Sequence, residues 1–78
     1  MGILQKRPTP SLTHFYVVLH AGRWWVEDEE GAGIHASLEP QEAVTWAIRA
    51  AQAEHARGME VLVCVEQADG SWMTAWHS

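Results

Sequence analysis

The chain has 78 residues, which is enough for one domain at most. Five lysines and arginines stand against ten aspartates and glutamates, so the formal net charge is −5. Nucleic-acid affinity comes mainly from Lys and Arg contacts to phosphates, so this charge argues against a nucleic-acid partner. The single cysteine, Cys64, excludes an internal disulfide framework, and its apolar neighbours indicate a buried, unreactive thiol.

The first 13 residues contain Pro8 and Pro10 and show no strong hydrophobic periodicity. We expect residues 1–13 to form a disordered tail ahead of a single domain over residues 14–78. The sequence shows no signal-peptide pattern and no long apolar run. We therefore expect a soluble cytoplasmic protein that makes no membrane contact.

Two β-hairpins are predicted, one on each side of a helix. The first joins strands 14–20 and 23–28 through Ala21-Gly22, and the second joins strands 60–67 and 71–77 through Asp69-Gly70. Residues 29–37, with two glycines, predict a loop. The order β-β-α-β-β defines an α+β fold, in which one helix packs on one face of a four-stranded antiparallel sheet.

The helix is predicted over residues 40–57. Pro40 suits its first turn, Ser37 or Glu39 is placed to cap it, and Gly58 suits a left-handed C-terminal cap. Its apolar arc is rich in alanine, which lets a helix approach a sheet closely. Trp46 lies at the edge of this arc, where it either completes the core or meets a partner, and we favour the core.

Period-two alternation sorts the strand residues onto two faces of the sheet. The face under the helix collects Phe15, Val17, Leu19, Trp24, Val26, Val61, Val63 and Val65. The other face collects Tyr16, Val18, Trp25, Leu62 and Cys64. An uncovered face of an antiparallel sheet is normally polar, and this one is apolar. It therefore predicts an interface, unless one strand has been assigned to the wrong face.

The last strand is ambiguous. Trp72, Thr74 and Trp76 point to one side, and Met73 and Ala75 point to the other. The pattern does not decide which side faces the helix.

Three stretches resemble the domain-of-unknown-function 2188 family of small bacterial proteins. They are FYVVLHAGRWWV, with Trp24 and Val26; Glu42-Ala43, which opens the alanine-rich helix; and EVLVCVEQADGSW. The resemblance covers roughly residues 14–73. It departs from the family pattern at Leu38, where an aromatic residue is common, and in a last hairpin without the usual basic residues. It implies a compact β-β-α-β-β domain and supplies no activity, cofactor or catalytic residue.

Candidate chemistry is sparse. The five histidines lack metal-ligand spacing, and His14 and His20 lie about 20 Å apart along one strand. The acidic run at residues 27–30 could bind a cation or a basic partner, but we interpret it as a solvated turn. No nucleophile motif surrounds any serine, threonine or Cys64. We therefore predict no catalytic activity, no cofactor and no metal.

Protein–protein association, beginning with self-association as a dimer, is the function that this pattern favours. The predicted interface residues are Tyr16, Trp25, Leu62 and Trp76, with Trp46 in reserve. Two alternatives stay open. Exposed aromatic residues on a sheet could stack single-stranded nucleic-acid bases, and a tryptophan-lined cleft could bind a small ligand.

Overall fold

The computed structural model describes residues 12–78 as one helix packed on one face of a five-stranded sheet. The elements are β1 (Leu12–His20), β2 (Arg23–Glu27), β3 (Gly33–Ser37), α1 (Pro40–Ala56), β4 (Glu60–Glu66) and β5 (Trp72–His77). Leu12 and Thr13 thus belong to β1, and the rest of the predicted tail lies outside the described residues. The domain is α+β, as predicted.

The predicted four-stranded antiparallel sheet is wrong in two respects. Gly33–Ser37, predicted as loop, is a strand that pairs with β2, and the sheet order is β3-β2-β1-β4-β5. In addition, β1 and β4 are parallel, whereas all other pairs are antiparallel. The physical reason is the crossover: after the β1-β2-β3 meander, α1 crosses the sheet and returns the chain beside β1 in the same direction.

The hydrophobic core lies between α1 and one face of the sheet. The buried apolar residues are Phe15, Val17, Val26, Ala43, Ala47, Ala51, Val61, Val63 and Val65. Three alanines on one helix face let α1 lie close to the sheet. The predicted helix-side face is confirmed. Leu19 lies on it, since it is paired with Trp24, but it is 54% exposed because it lies near the end of β1.

The C-terminus of α1 closes through Gly58, as predicted. Gly58 has φ +95°, and its N–H donates to the carbonyl of His55 at 2.9 Å. The N–H of Met59 donates to the carbonyl of Glu54 at 3.2 Å. These two bonds form a Schellman motif, which satisfies helix carbonyls that would otherwise lack partners.

The helix begins at Pro40, and Ser37 organises its entry. The Ser37 hydroxyl donates to a carboxylate oxygen of Glu42 and accepts the Glu39 N–H at 3.1 Å. Glu39 occupies the N-cap position without a capping side-chain bond. Of the two predicted capping residues, Ser37 is therefore the one whose side chain binds the helix entry.

The two hairpin turns differ. Ala21 and Gly22 both have positive φ, at 54° and 78°, as the two central residues of a type I′ turn require. In the second hairpin the N–H of Gln67 donates to the carbonyl of Ser71 at 2.7 Å, and the N–H of Gly70 donates to the carbonyl of Gln67 at 2.9 Å. These bonds enclose a three-residue loop, residues 68–70, rather than the two-residue turn that Asp69-Gly70 predicts. The hydroxyl and N–H of Ser71 donate to Asp69 and hold the pKa of its carboxyl below the usual range.

Candidate interaction surface

No element within residues 12–78 covers the side of the sheet opposite α1, and we call this side the open face. Strand register defines its members, because directly paired residues point to the same side. Tyr16 is paired with Glu27 and Cys64, and Val18 is paired with Trp25. The open face includes Tyr16, Val18, Trp25, Glu27, Leu62, Cys64, Glu66, Trp72 and Thr74.

Three of the five predicted interface residues share the open face. Tyr16, Trp25 and Leu62 lie there, each half-buried. Trp76 is paired with Val63 and packs against the core on the helix side, with its ring centroid 6.4 Å from that of His55. The structure therefore does not place Trp76 beside the other three.

Trp46 also lies on the helix side. Its indole packs against the core and stacks on His35 of β3. The favoured core interpretation of Trp46 is consistent with this position, in which the ring fills the junction between α1 and the outer strand.

The prediction that Trp72, Thr74 and Trp76 share one side of β5 is wrong, and the register of β5 shows why. A register shift between Val63 and Cys64 lets Cys64 pair with Thr74 while Val63 pairs with Trp76. Ala75 is the extra residue of this bulge, so Trp72 and Thr74 face one way and Trp76 faces the other. Sequence alternation contains no signal for such an insertion.

Trp72 belongs to the open face, and sequence reasoning did not select it. Its ring meets that of Tyr16 edge to face, at 5.4 Å and an angle of 64°. Since β4 lies between β1 and β5, this contact crosses β4 beside Cys64. Cys64 is only 9% exposed there, and burial raises the pKa of its thiol. The prediction of a buried thiol is confirmed.

Trp25 extends toward β3 over the outer part of the sheet. Its Nε1–H donates to the carbonyl oxygen of His20 at 3.2 Å. A methyl group added at Gly33 would lie 2.9 Å from Cε3 of the Trp25 ring. The indole thus rests on the backbone of β3, and Gly33 is the residue that leaves room for it.

The acidic residues of the run 27–30 make different contacts. The Asp28 carboxylate accepts the N–H groups of Glu30 and Ala32, at 2.9 and 3.0 Å, and so shapes the β2–β3 turn. Glu29 Oε2 lies 2.9 Å from Nδ1 of His14, whose ring stacks on Tyr16 with centroids 5.7 Å apart. Glu27, on β2, points to the open face.

An open cleft of about 340 Å³ runs beside Tyr16 on the open face. The residues that line it are Tyr16, Val18, Glu27, Asp28, Glu29, Gly31, Glu66 and Trp72. Its walls therefore combine two aromatic rings with four carboxylates. Such a site attracts cations, because ring faces and carboxylates both favour positive charge.

Residues 12–78 contain no cluster of three or more His, Cys, Asp or Glu side chains arranged to hold a metal ion. His35 stacks on Trp46, and Nδ1 of His55 lies 2.9 Å from the carbonyl oxygen of Met59. The same residues include no helix with the length and apolar character needed to cross a membrane.

Comparison with known proteins gave no match to a protein family, to a curated protein or to a solved structure. The resemblance to the domain-of-unknown-function 2188 family therefore stays a prediction.

Proposed function

We propose that this domain functions in protein–protein association and that it associates first with itself, as a dimer, through the open face. The observation that carries this proposal is the set of partly exposed aromatic and aliphatic side chains on the open face. Tyr16, Trp25 and Leu62 are only half-buried there, and Trp72 is 50% exposed. Exposed aromatic residues on an otherwise uncovered surface are typical of a surface that another protein covers.

The size of the open face suits a small specific interface. Five strands about 4.8 Å apart and about 20 Å long give a projected area of roughly 500 Å². Protruding side chains raise the accessible area above the projected one. Specific interfaces bury about 800 Å² per partner, and the weaker ones bury less. The open face is thus of the size that a modest dimer requires.

The chain also gains from association. A chain of 78 residues buries a smaller fraction of its surface than a larger one, so its stability margin is thin. Its fully buried side chains are valines and alanines rather than larger residues. Covering Trp72 and the half-buried rings would add apolar burial that the monomer lacks.

The test is Trp25→Ala, with Gln52→Ala on the exposed side of α1 as the matched control. We expect the wild type and Gln52→Ala to dimerise alike in sedimentation equilibrium. Trp25→Ala should weaken the dimer by about 2 kcal/mol or more, because central aromatic residues dominate interface energies. A folded Trp25→Ala variant that self-associates as the wild type does would contradict the proposal.

A cytoplasmic location and kinship with the family that the sequence resembles are part of this proposal. The one cysteine of the chain forms no disulfide and is buried, which suits a reducing compartment. Localisation of a tagged full-length chain by cell fractionation tests the first point.

A further inference from the structure

The charges of the open face are separated along β2. Trp24 packs toward the core, so alternation places Arg23, Trp25 and Glu27 together on the open face. Arg23 and Glu27 are each two residues from Trp25, so their Cα atoms are about 13 Å apart. Trp25 is therefore at the midpoint between one basic and one acidic position.

Arg23 is the one lysine or arginine that residues 12–78 place on the sheet. The other two basic residues of this range, Arg49 and Arg57, lie on α1 and at its C-terminal end. Within residues 12–78, Arg23 has no carboxylate within 4.0 Å, whereas Arg57 is bound to Glu54. The open face thus carries a cation without an ionic partner from the described part of its own chain.

The acidic end of the open face is the cleft beside Tyr16. Glu27 and Glu66 line this cleft from β2 and β4, together with the ring of Trp72. Neither carboxylate has a cationic partner within 4.0 Å in residues 12–78. The cleft therefore offers aromatic and carboxylate groups to a cation that the described part of the same chain does not supply.

We propose that a second copy of this chain supplies that cation, with Arg23 of each copy in the acidic cleft of the other. The inference rests on the proposed self-association and specifies its geometry. Consider a two-fold axis that lies between the two stacked sheets, passes over Trp25 and is perpendicular to β2. It exchanges positions of β2 that lie at equal distances on either side of Trp25. Such an axis brings Arg23 of one copy to Glu27 of its partner, twice in each dimer.

Charge complementarity selects a second copy over other occupants. The domain is acidic, so two copies repel unless opposite charges meet at their contact. The positions of Arg23 and Glu27 provide two such contacts from a single pattern. A guanidinium in this cleft could also lie on the Tyr16 and Trp72 rings, where arginine binds aromatic faces well.

The test is a charge swap measured by sedimentation equilibrium. Arg23→Glu and Glu27→Arg should each raise the dimer Kd by about tenfold or more, because each homodimer then contains two like-charge contacts. An equimolar mixture of the two variants should form a heterodimer near wild-type affinity, because both of its contacts are opposite in charge. The double variant Arg23→Glu/Glu27→Arg should form a homodimer with a Kd near the wild-type value, because its two contacts are again opposite in charge.

Arg49→Glu on α1 is the matched control, since it makes the same charge change away from the open face and should leave the Kd unchanged. Circular dichroism verifies that each variant is folded. A wild-type dimer that Arg23→Glu and Glu27→Arg leave intact, or a mixture that fails to recover, would overturn this inference while the proposed self-association stands. A wild type that stays monomeric at millimolar concentration, even if it binds an oligo-arginine peptide, would overturn both.

Discussion

The imidazole of His35 lies flat on the indole of Trp46, with ring centroids 4.6 Å apart and an interplanar angle of 5°. His35 belongs to the outer strand β3, and Trp46 belongs to α1. Because β3 pairs only with β2 within residues 12–78, this stack is a second attachment that joins the sheet edge to the helix. Trp46 thus has a structural role within one copy of the domain.

Replacing Trp46 should therefore affect stability rather than association. We expect Trp46→Ala to lower the free energy of unfolding by about 2–3 kcal/mol, somewhat less than for a fully buried tryptophan, since this ring is half-buried. Urea denaturation measures the loss. The dimer Kd of the folded variant should stay within about threefold of the wild-type value. A clear loss of association with unchanged stability would instead move Trp46 to the interface.

Gly33→Ala tests the packing of the Trp25 ring against Gly33. The added methyl group would lie 2.9 Å from the indole, so the ring must shift. We expect a loss of about 1–2 kcal/mol in the free energy of unfolding, as is usual for overpacking. In a Trp25→Ala background the same change should cost much less, because the ring that it strikes is absent. An equal cost in both backgrounds would show that Gly33 serves the backbone of β3 and not Trp25.

The rate at which the Cys64 thiol reacts measures how well its neighbours on the open face shield it. Burial raises the pKa of its thiol, so the folded chain holds the thiol proton more tightly than the unfolded chain does. This difference stabilises the folded chain fully at a pH below the thiol pKa of the unfolded chain. The stabilisation is lost as the pH rises through the higher thiol pKa of the folded chain. We expect slow reaction with a disulfide reagent at mildly alkaline pH, and faster reaction in Trp72→Ala, which uncovers β4.

The control for this reactivity is Met73→Ala, which truncates the neighbouring residue of β5 on the helix side. It should leave the rate of Cys64 labelling close to that of the wild type. Equal rates in the wild type and Trp72→Ala would mean that Trp72 does not shield the thiol.

The first hairpin offers a stabilising change. Ala21 has φ +54°, a conformation that costs alanine energy and that asparagine adopts more readily. Ala21→Asn should raise the free energy of unfolding by about 0.5–1 kcal/mol, since Asn-Gly is a preferred type I′ sequence. Ala21→Val should lower it, because β-branched residues rarely take positive φ. Thermal unfolding of both variants measures the two effects, and a Val variant as stable as the Asn variant would contradict the turn assignment.

The helix and four strands could be predicted because their residues carry strong local signals. Pro40 and Gly58 mark the ends of α1, β1 is rich in aromatic and β-branched residues, and valines alternate through β4. The strand at Gly33–Ser37 has a weaker signal, since its apolar alternation is limited to Ile34 and Ala36 and since Gly31 and Gly33 favour a loop. Its pairing with β2 is a tertiary effect that satisfies an otherwise open edge.

The candidate site could be predicted in part for the same reason. Tyr16, Trp25 and Leu62 follow from alternation within regular strands. Alternation does not separate Trp72 from Trp76. The bulge at Ala75 places Trp76 on the helix side, although Trp72 and Thr74 lie on the open face. The pairing of Arg23 with the acidic cleft depends on strand register and symmetry, which no local pattern contains.

The solution mass of the wild-type chain tests the central claim most directly. Light scattering on a sizing column, over a range of loading concentrations, compares the measured mass with the chain mass of 8.7 kDa. We predict a mass that rises with concentration to twice that of the chain. A mass that stays at the chain value up to millimolar concentration would contradict self-association through the open face.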